Sequence, residues 1–127
     1  MRSRPAQALI EFALAISVFM LLVLGTFDLA RAYLSYTVLT NASREASRYA
    51  AAHYGESGWQ TASQQAGRNL AVGVDTSRLT LTVASSGSLS GYVTVTGAYS
   101  FHTLTPFVGA LLGDPINMQV QTSALAG

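Results

Sequence analysis

Apolar residues run almost without interruption from Ala8 to Leu34, ALIEFALAISVFMLLVLGTFDLARAYL. Between Phe12 and Phe27 no residue carries a charge. At ~1.5 Å rise per residue, a helix of ~20 such residues matches a hydrocarbon core of ~30 Å. Residues 7–30 are therefore read as a transmembrane segment in contact with the lipid bilayer. The helical pattern does not stop at the far side. Leu29, Tyr33, Tyr36, Leu39, Ala42, Ala46, Tyr49 and His53 recur at steps of three and four, with Arg31, Ser35, Arg44, Glu45 and Arg48 on the other side. No Pro interrupts residues 8–54, Gly25 is the one internal Gly, and Gly55 supplies a stop. The pattern predicts one helix on the order of 70 Å long, less than half of it in lipid.

Beyond Gly55 a second helix is expected over 59–71, with Ala62, Ala66 and Leu70 on one side and Gly73 closing it. The period then falls to two. Strands are expected near 78–84, 92–101 and 116–123, where apolar residues alternate with Thr, Ser and Gln. Gly97 marks a bulge or a point of close packing. SSGSLSG is a flexible connection, a short helix can follow Pro106, and Asp114-Pro115 is a turn signal. The expected fold class is α+β: a long N-terminal helix, a short second helix and a small antiparallel sheet packed on the outer half of the long helix.

Composition narrows the function classes. Charged residues make up 10% of the 127-residue chain, and net charge is +1. Typical soluble domains carry ~25%, so the low value fits membrane insertion or burial in an assembly. No basic stripe is present, and nucleic acid is not an expected partner. Cysteine is absent, so neither disulfides nor Cys metal sites contribute. His53 and His102 lack ligand-spaced companions, and no G-x-S-x-G or Gly-rich phosphate loop occurs. The chain is read as no enzyme, with no cofactor and no metal. Arg2 and Arg4 lie in a basic leader, residues 1–6. Under the positive-inside rule they place the N-terminus in the cytoplasm and residues 31–127 outside.

Glu11 stands out, because a carboxylate at the edge of the bilayer core costs several kcal/mol unless paired or neutralised. It pairs with a cation, such as a neighbouring subunit's N-terminal amine, or it is an interfacial residue favoured by the helix dipole. Physics alone leaves both open. Arg44 and Arg48 form either a partner-binding stripe or a solvated face. Tyr33 and Tyr36 are candidate assembly contacts, since aromatics are enriched at interfaces. Asp28 and Arg31 form a weak pair at the outer membrane edge.

The segment Ala6-Gln7-Ala8-Leu9-Ile10-Glu11-Phe12 resembles the cleavage region of type IV prepilins. The longer stretch is similar to the TadE-like minor pilins (pseudopilins) of the tight-adherence, or Flp, pilus. The resemblance is carried by Glu11-Phe12-Ala13-Leu14, by Gly25-Thr26-Phe27-Asp28, and by Ala42-Ser43-Arg44-Glu45-Ala46-Ser47-Arg48-Tyr49-Ala50. It implies a pilin-like protein of the cytoplasmic (inner) membrane that takes part in assembling or priming the pilus. The implied partners are the major pilin, other minor pilins, a prepilin peptidase and the assembly platform. It also implies cleavage between Ala6 and Gln7, which makes Glu11 the fifth mature residue, with Glu11 and Phe12 setting helix register. The family places Gly before the cut, and this chain has Ala6. Two other readings compete: a non-polymerising single-pass envelope adaptor, and a secreted domain whose signal peptide is cut near Ala30-Arg31-Ala32.

Overall fold

The computed structural model describes residues 4–86 and 91–126. Met1–Ser3 of the basic leader, with Arg2, and Gly87–Ser90 of the SSGSLSG connection lie outside the described residues. The elements are α1 (Arg4–Ala52), α2 (Trp59–Leu70), β1 (Leu79–Ser85), β2 (Tyr92–Phe101), α3 (Pro106–Leu112) and β3 (Ile116–Leu125). This is an α+β arrangement, with one antiparallel sheet of order β1-β2-β3.

Helix α1 runs unbroken for 49 residues, about 73 Å at 1.5 Å per residue. Its apolar half carries few polar side chains, and its two hydroxyls there beyond Glu11 turn back on the helix. Ser17 Oγ donates to the Ala13 carbonyl at 2.7 Å, and Thr26 Oγ1 to that of Leu22 at 2.8 Å. Satisfied in this way, the hydroxyls avoid most of the cost of sitting in an apolar medium. At the far end the His53 amide reaches the Tyr49 carbonyl at 3.1 Å, adding a final turn beyond Ala52.

Register explains the sheet's two faces. Leu79 faces Tyr99, which faces Met118; Leu81 faces Gly97, which faces Val120; Val83 faces Val95, which faces Thr122. Alternation places these rows on one face, and Thr80, Thr82, Thr94, Thr96, Gln119 and Gln121 on the other. Helix α1 covers the inner rows of β2 and β3, and α2 packs beside β1. Leu39, Val93 and Val95 lie at the centre, essentially without exposure.

The buried face of α1 keeps Leu39, Ala42 and Ala46 of the expected stripe but is made of smaller residues than expected. Its buried residues are Asp28, Ser35, Leu39, Ala42, Ser43, Ala46, Ser47 and Ala50, and Leu29, Tyr33 and Tyr36 point outward. Ser35, expected on the polar side, is therefore core. The reason is distance. Small side chains let two neighbours approach α1 closely, and large ones would hold them off. A Cβ on Gly67 of α2 would meet the Ala42 carbonyl oxygen at 2.7 Å and the Ala46 Cβ at 3.0 Å. A Cβ on Gly97 would collide with Ser43 Oγ and meet Leu39 Cδ1 at 2.9 Å. Gly97 is thus a close-packing point. The ladder runs through it without a bulge. The packing face of α2 is likewise Ser63 and Gly67, and Leu70 is left half-exposed.

This seam yields two expected outcomes. Gly97→Ala overpacks it and should cost about 1–3 kcal/mol. Ser43 Oγ is buried without a hydrogen-bond partner, so Ser43→Ala should leave stability unchanged or raise it by about 1 kcal/mol. Thermal unfolding of the full chain in detergent, followed by Trp59 emission, checks both. An unchanged midpoint for Gly97→Ala would contradict the close-approach account.

Candidate functional site: the apolar half of the long helix and its Asp28 junction

Two surfaces of α1 meet at Asp28. On one side the helix is bare. Leu9, Ile10, Phe12, Leu14, Val18, Phe19, Leu22, Leu24 and Phe27 are all more than half exposed. Within the described residues this is the one helix long and apolar enough to cross a membrane, and its apolar window has no burial inside the chain. It fits a membrane anchor. On the other side the same helix is the core of the folded domain.

The junction is built by Asp28, one of the most buried side chains in the protein at 2% exposure. Its Oδ1 accepts the Leu104 amide at 3.0 Å and its Oδ2 the Thr105 amide at 2.8 Å. Arg31 Nη1 lies 3.4 Å from Oδ1, and its guanidinium sits 5.3 Å from the centre of the Phe101 ring. One carboxylate thus satisfies two main-chain donors from a segment 76 residues away. Hydrogen bonds to a charged acceptor contribute about 1.5–3 kcal/mol each, and main-chain amides in a buried junction would otherwise be orphaned. The expected pair of Asp28 with Arg31 is present. Its larger partner, the Leu104–Thr105 backbone, carries no residue-type signal, and sequence reasoning missed it.

The other candidate residues lie strung along α1. Ala6 and Gln7 are exposed in its first turns. Glu11 is exposed and makes no hydrogen bond or ion pair with the described residues. Its neighbour Phe12 is 65% exposed. Tyr33 and Tyr36 are exposed just beyond the junction. Arg44 and Arg48 are exposed farther out, and Arg48 pairs loosely with Glu45 at 3.6 Å. Spacings of four, seven and four put Tyr33, Thr37, Arg44 and Arg48 on one strip, opposite the core. Glu11 and Arg44 are about 50 Å apart along the axis. These residues form a strip and not a pocket, so the arrangement suits contact with an elongated partner. Tyr49 is half-buried and stacks on His53, ring centres 4.1 Å apart. His102 lies 3.2 Å from Asp114. Among the described residues no group of His, Asp and Glu has the disposition of a metal site.

The apolar start, the acidic residue at its head and the buried Asp at its exit coincide with a family match. Residues 6–48 are TadE-like, matching the family model described as TadE-like protein. The match is consistent with a TadE-like protein of the tight-adherence pilus system. It covers Glu11, Asp28, Tyr33, Tyr36 and Arg44 and ends at Arg48. No curated protein and no solved structure matches the chain. The TadE-like segment therefore takes in the whole apolar half of α1 and most of the half that the sheet covers.

Asp28→Asn keeps the shape but removes the charge and turns an amide N–H₂ toward one of the two donors. It should destabilise the domain by about 1–3 kcal/mol, and Asp28→Ala by at least as much. Denaturant unfolding of the detergent-solubilised chain measures this. Variants as stable as the parent would show that the junction holds without its carboxylate.

Proposed function

We propose that the chain is a membrane-anchored minor pilin that takes part in assembling or priming a tight-adherence pilus. It has no catalytic role in this reading. The supporting observation is the bare apolar half of α1, continuous with the domain core and coincident with the TadE-like segment. Residues 1–6 are the leader, 7–30 the span in the inner membrane, and 31–127 the outer domain, with the N-terminus cytoplasmic. A prepilin peptidase removes the leader between Ala6 and Gln7. That bond lies in the first turns of α1, where helices open most readily.

Once the helix leaves lipid for a bundle with the major pilin and other minor pilins, Glu11 decides the stagger. An unpaired carboxylate among apolar helices costs several kcal/mol. The favoured register brings it to a cation, such as the new N-terminal amine of a neighbour. Phe12 packs beside it, and Tyr33, Tyr36, Arg44 and Arg48 offer contacts farther along the rod and toward the assembly platform. The Asp28 junction argues against a secreted domain. A cut near Ala30-Arg31-Ala32 would remove the carboxylate that holds Leu104 and Thr105.

Two measurements test the proposal. Intact mass and N-terminal sequencing from the native membrane should find Gln7 first; a chain retaining Met1 or Arg2 would favour an unprocessed envelope adaptor. Glu11→Leu should leave membrane insertion intact and strongly reduce surface pili. Normal piliation in that variant would remove Glu11 from the register role.

A further inference from the structure

The segment Thr103–Gly113, which carries α3, has no charged residue and is nearly all apolar. Its large side chains are mostly exposed: Leu104 is 72% exposed, Phe107 59%, Leu111 72% and Leu112 66%. Helix α3 buries no residue fully. In water such a cluster is an unusual liability for a small domain.

Its position along α1 accounts for it. The segment leaves the sheet at Phe101 and is tied to α1 by the Asp28 bonds to Leu104 and Thr105. From there it runs back along the apolar half. Val108 Cγ2 approaches the Cβ position of Gly25 at 3.9 Å. Phe107 and Val108 share an open apolar groove of about 460 Å³ with Val18, Leu21, Leu22, Gly25, Thr26 and Leu29. Leu22 lies about 9 Å below Asp28 along the axis. The polar atoms sit at the opposite end, where the Asp114 carboxylate takes the Thr103 amide at 3.3 Å and pairs with His102. A charged base above an apolar tip, side by side with a membrane-spanning helix, is the distribution of an interfacial element that enters the headgroup–acyl boundary by ~5–10 Å.

We propose that Thr103–Gly113 is a second membrane contact, a monotopic arm whose Leu104, Phe107, Leu111 and Leu112 insert among the acyl chains of the outer leaflet beside α1. This rests on the membrane-anchor part of the reading above and on nothing else in it. The arm fixes the depth and tilt of α1 at its exit point. The outer domain thereby rides on the bilayer surface, and extraction of the subunit must free the arm as well as the helix.

Tryptophan quenching by phosphatidylcholine brominated high on the acyl chain tests the arm in the full chain reconstituted into vesicles. The parent protein has one Trp, Trp59, which packs against Tyr54 beyond the far end of α1, about 35 Å from Asp28 by helix length. It should be unquenched. On a Trp59→Phe background, Phe107→Trp and Leu111→Trp should each lose about half of their emission or more, as should Val18→Trp in the span. Leu111 is 72% exposed, so a Trp there has room toward solvent. If the Val18→Trp variant is quenched while Phe107→Trp and Leu111→Trp are not, the arm lies outside lipid and the proposal fails alone. If Val18→Trp is also unquenched, the membrane anchor itself is wrong. Protection of the probes at positions 107 and 111 that grows with the protein-to-lipid ratio would assign the surface to a second copy and overturn the lipid assignment.

Discussion

A single buried carboxylate joins the two halves of this protein. Asp28 stands where α1 passes from bare apolar surface to domain core, and it accepts the amides of Leu104 and Thr105. An ion at 2% exposure is tolerable only when its acceptor sites are filled. Here two main-chain donors and Arg31 fill them. The bonds fix the segment between β2 and β3 against the helix. The same bonds place the uncharged tip of that segment beside Gly25.

Farther out, the constraint changes from charge to size. A three-stranded sheet and a 12-residue helix provide little core for a domain of this length. Close approach compensates. Ala42, Ser43, Ala46 and Ala50 leave a shallow seam on α1, and Gly67 and Gly97 bring α2 and β2 into it. Interiors are packed to crystal-like density, so dispersion contacts multiply as backbones approach. One cost in this seam is the unpartnered hydroxyl of Ser43. The outward strip of the same helix keeps Tyr33, Arg44 and Arg48 free for other contacts.

Period and punctuation made the elements legible in the sequence: the apolar run, the change from steps of three and four to steps of two, and the helix after Pro106. The face of α1 was less legible. Large apolar residues usually mark a core, and here Leu29 faces outward while Ser35 is buried. Close packing selects small residues, which hydropathy ranks poorly. The role of Asp28 was hidden for a different reason. Its partners are main-chain amides, which every residue but Pro carries, so no pattern at Leu104 or Thr105 could announce them. The strip bearing Glu11, Arg44 and Arg48 was visible as residue types, and the rod explains why those residues never gather into one site.

The central claim is that one continuous helix is both anchor and core, locked to the domain at Asp28. Amide hydrogen exchange on the full chain in a lipid bilayer tests it most directly. The account predicts slow exchange without a break from Phe12 to Ala50, and amides of Leu104 and Thr105 protected as well as those of Val93 and Val95. Rapid exchange at Leu104 and Thr105, or a fast-exchanging gap in α1 near Asp28, would contradict it.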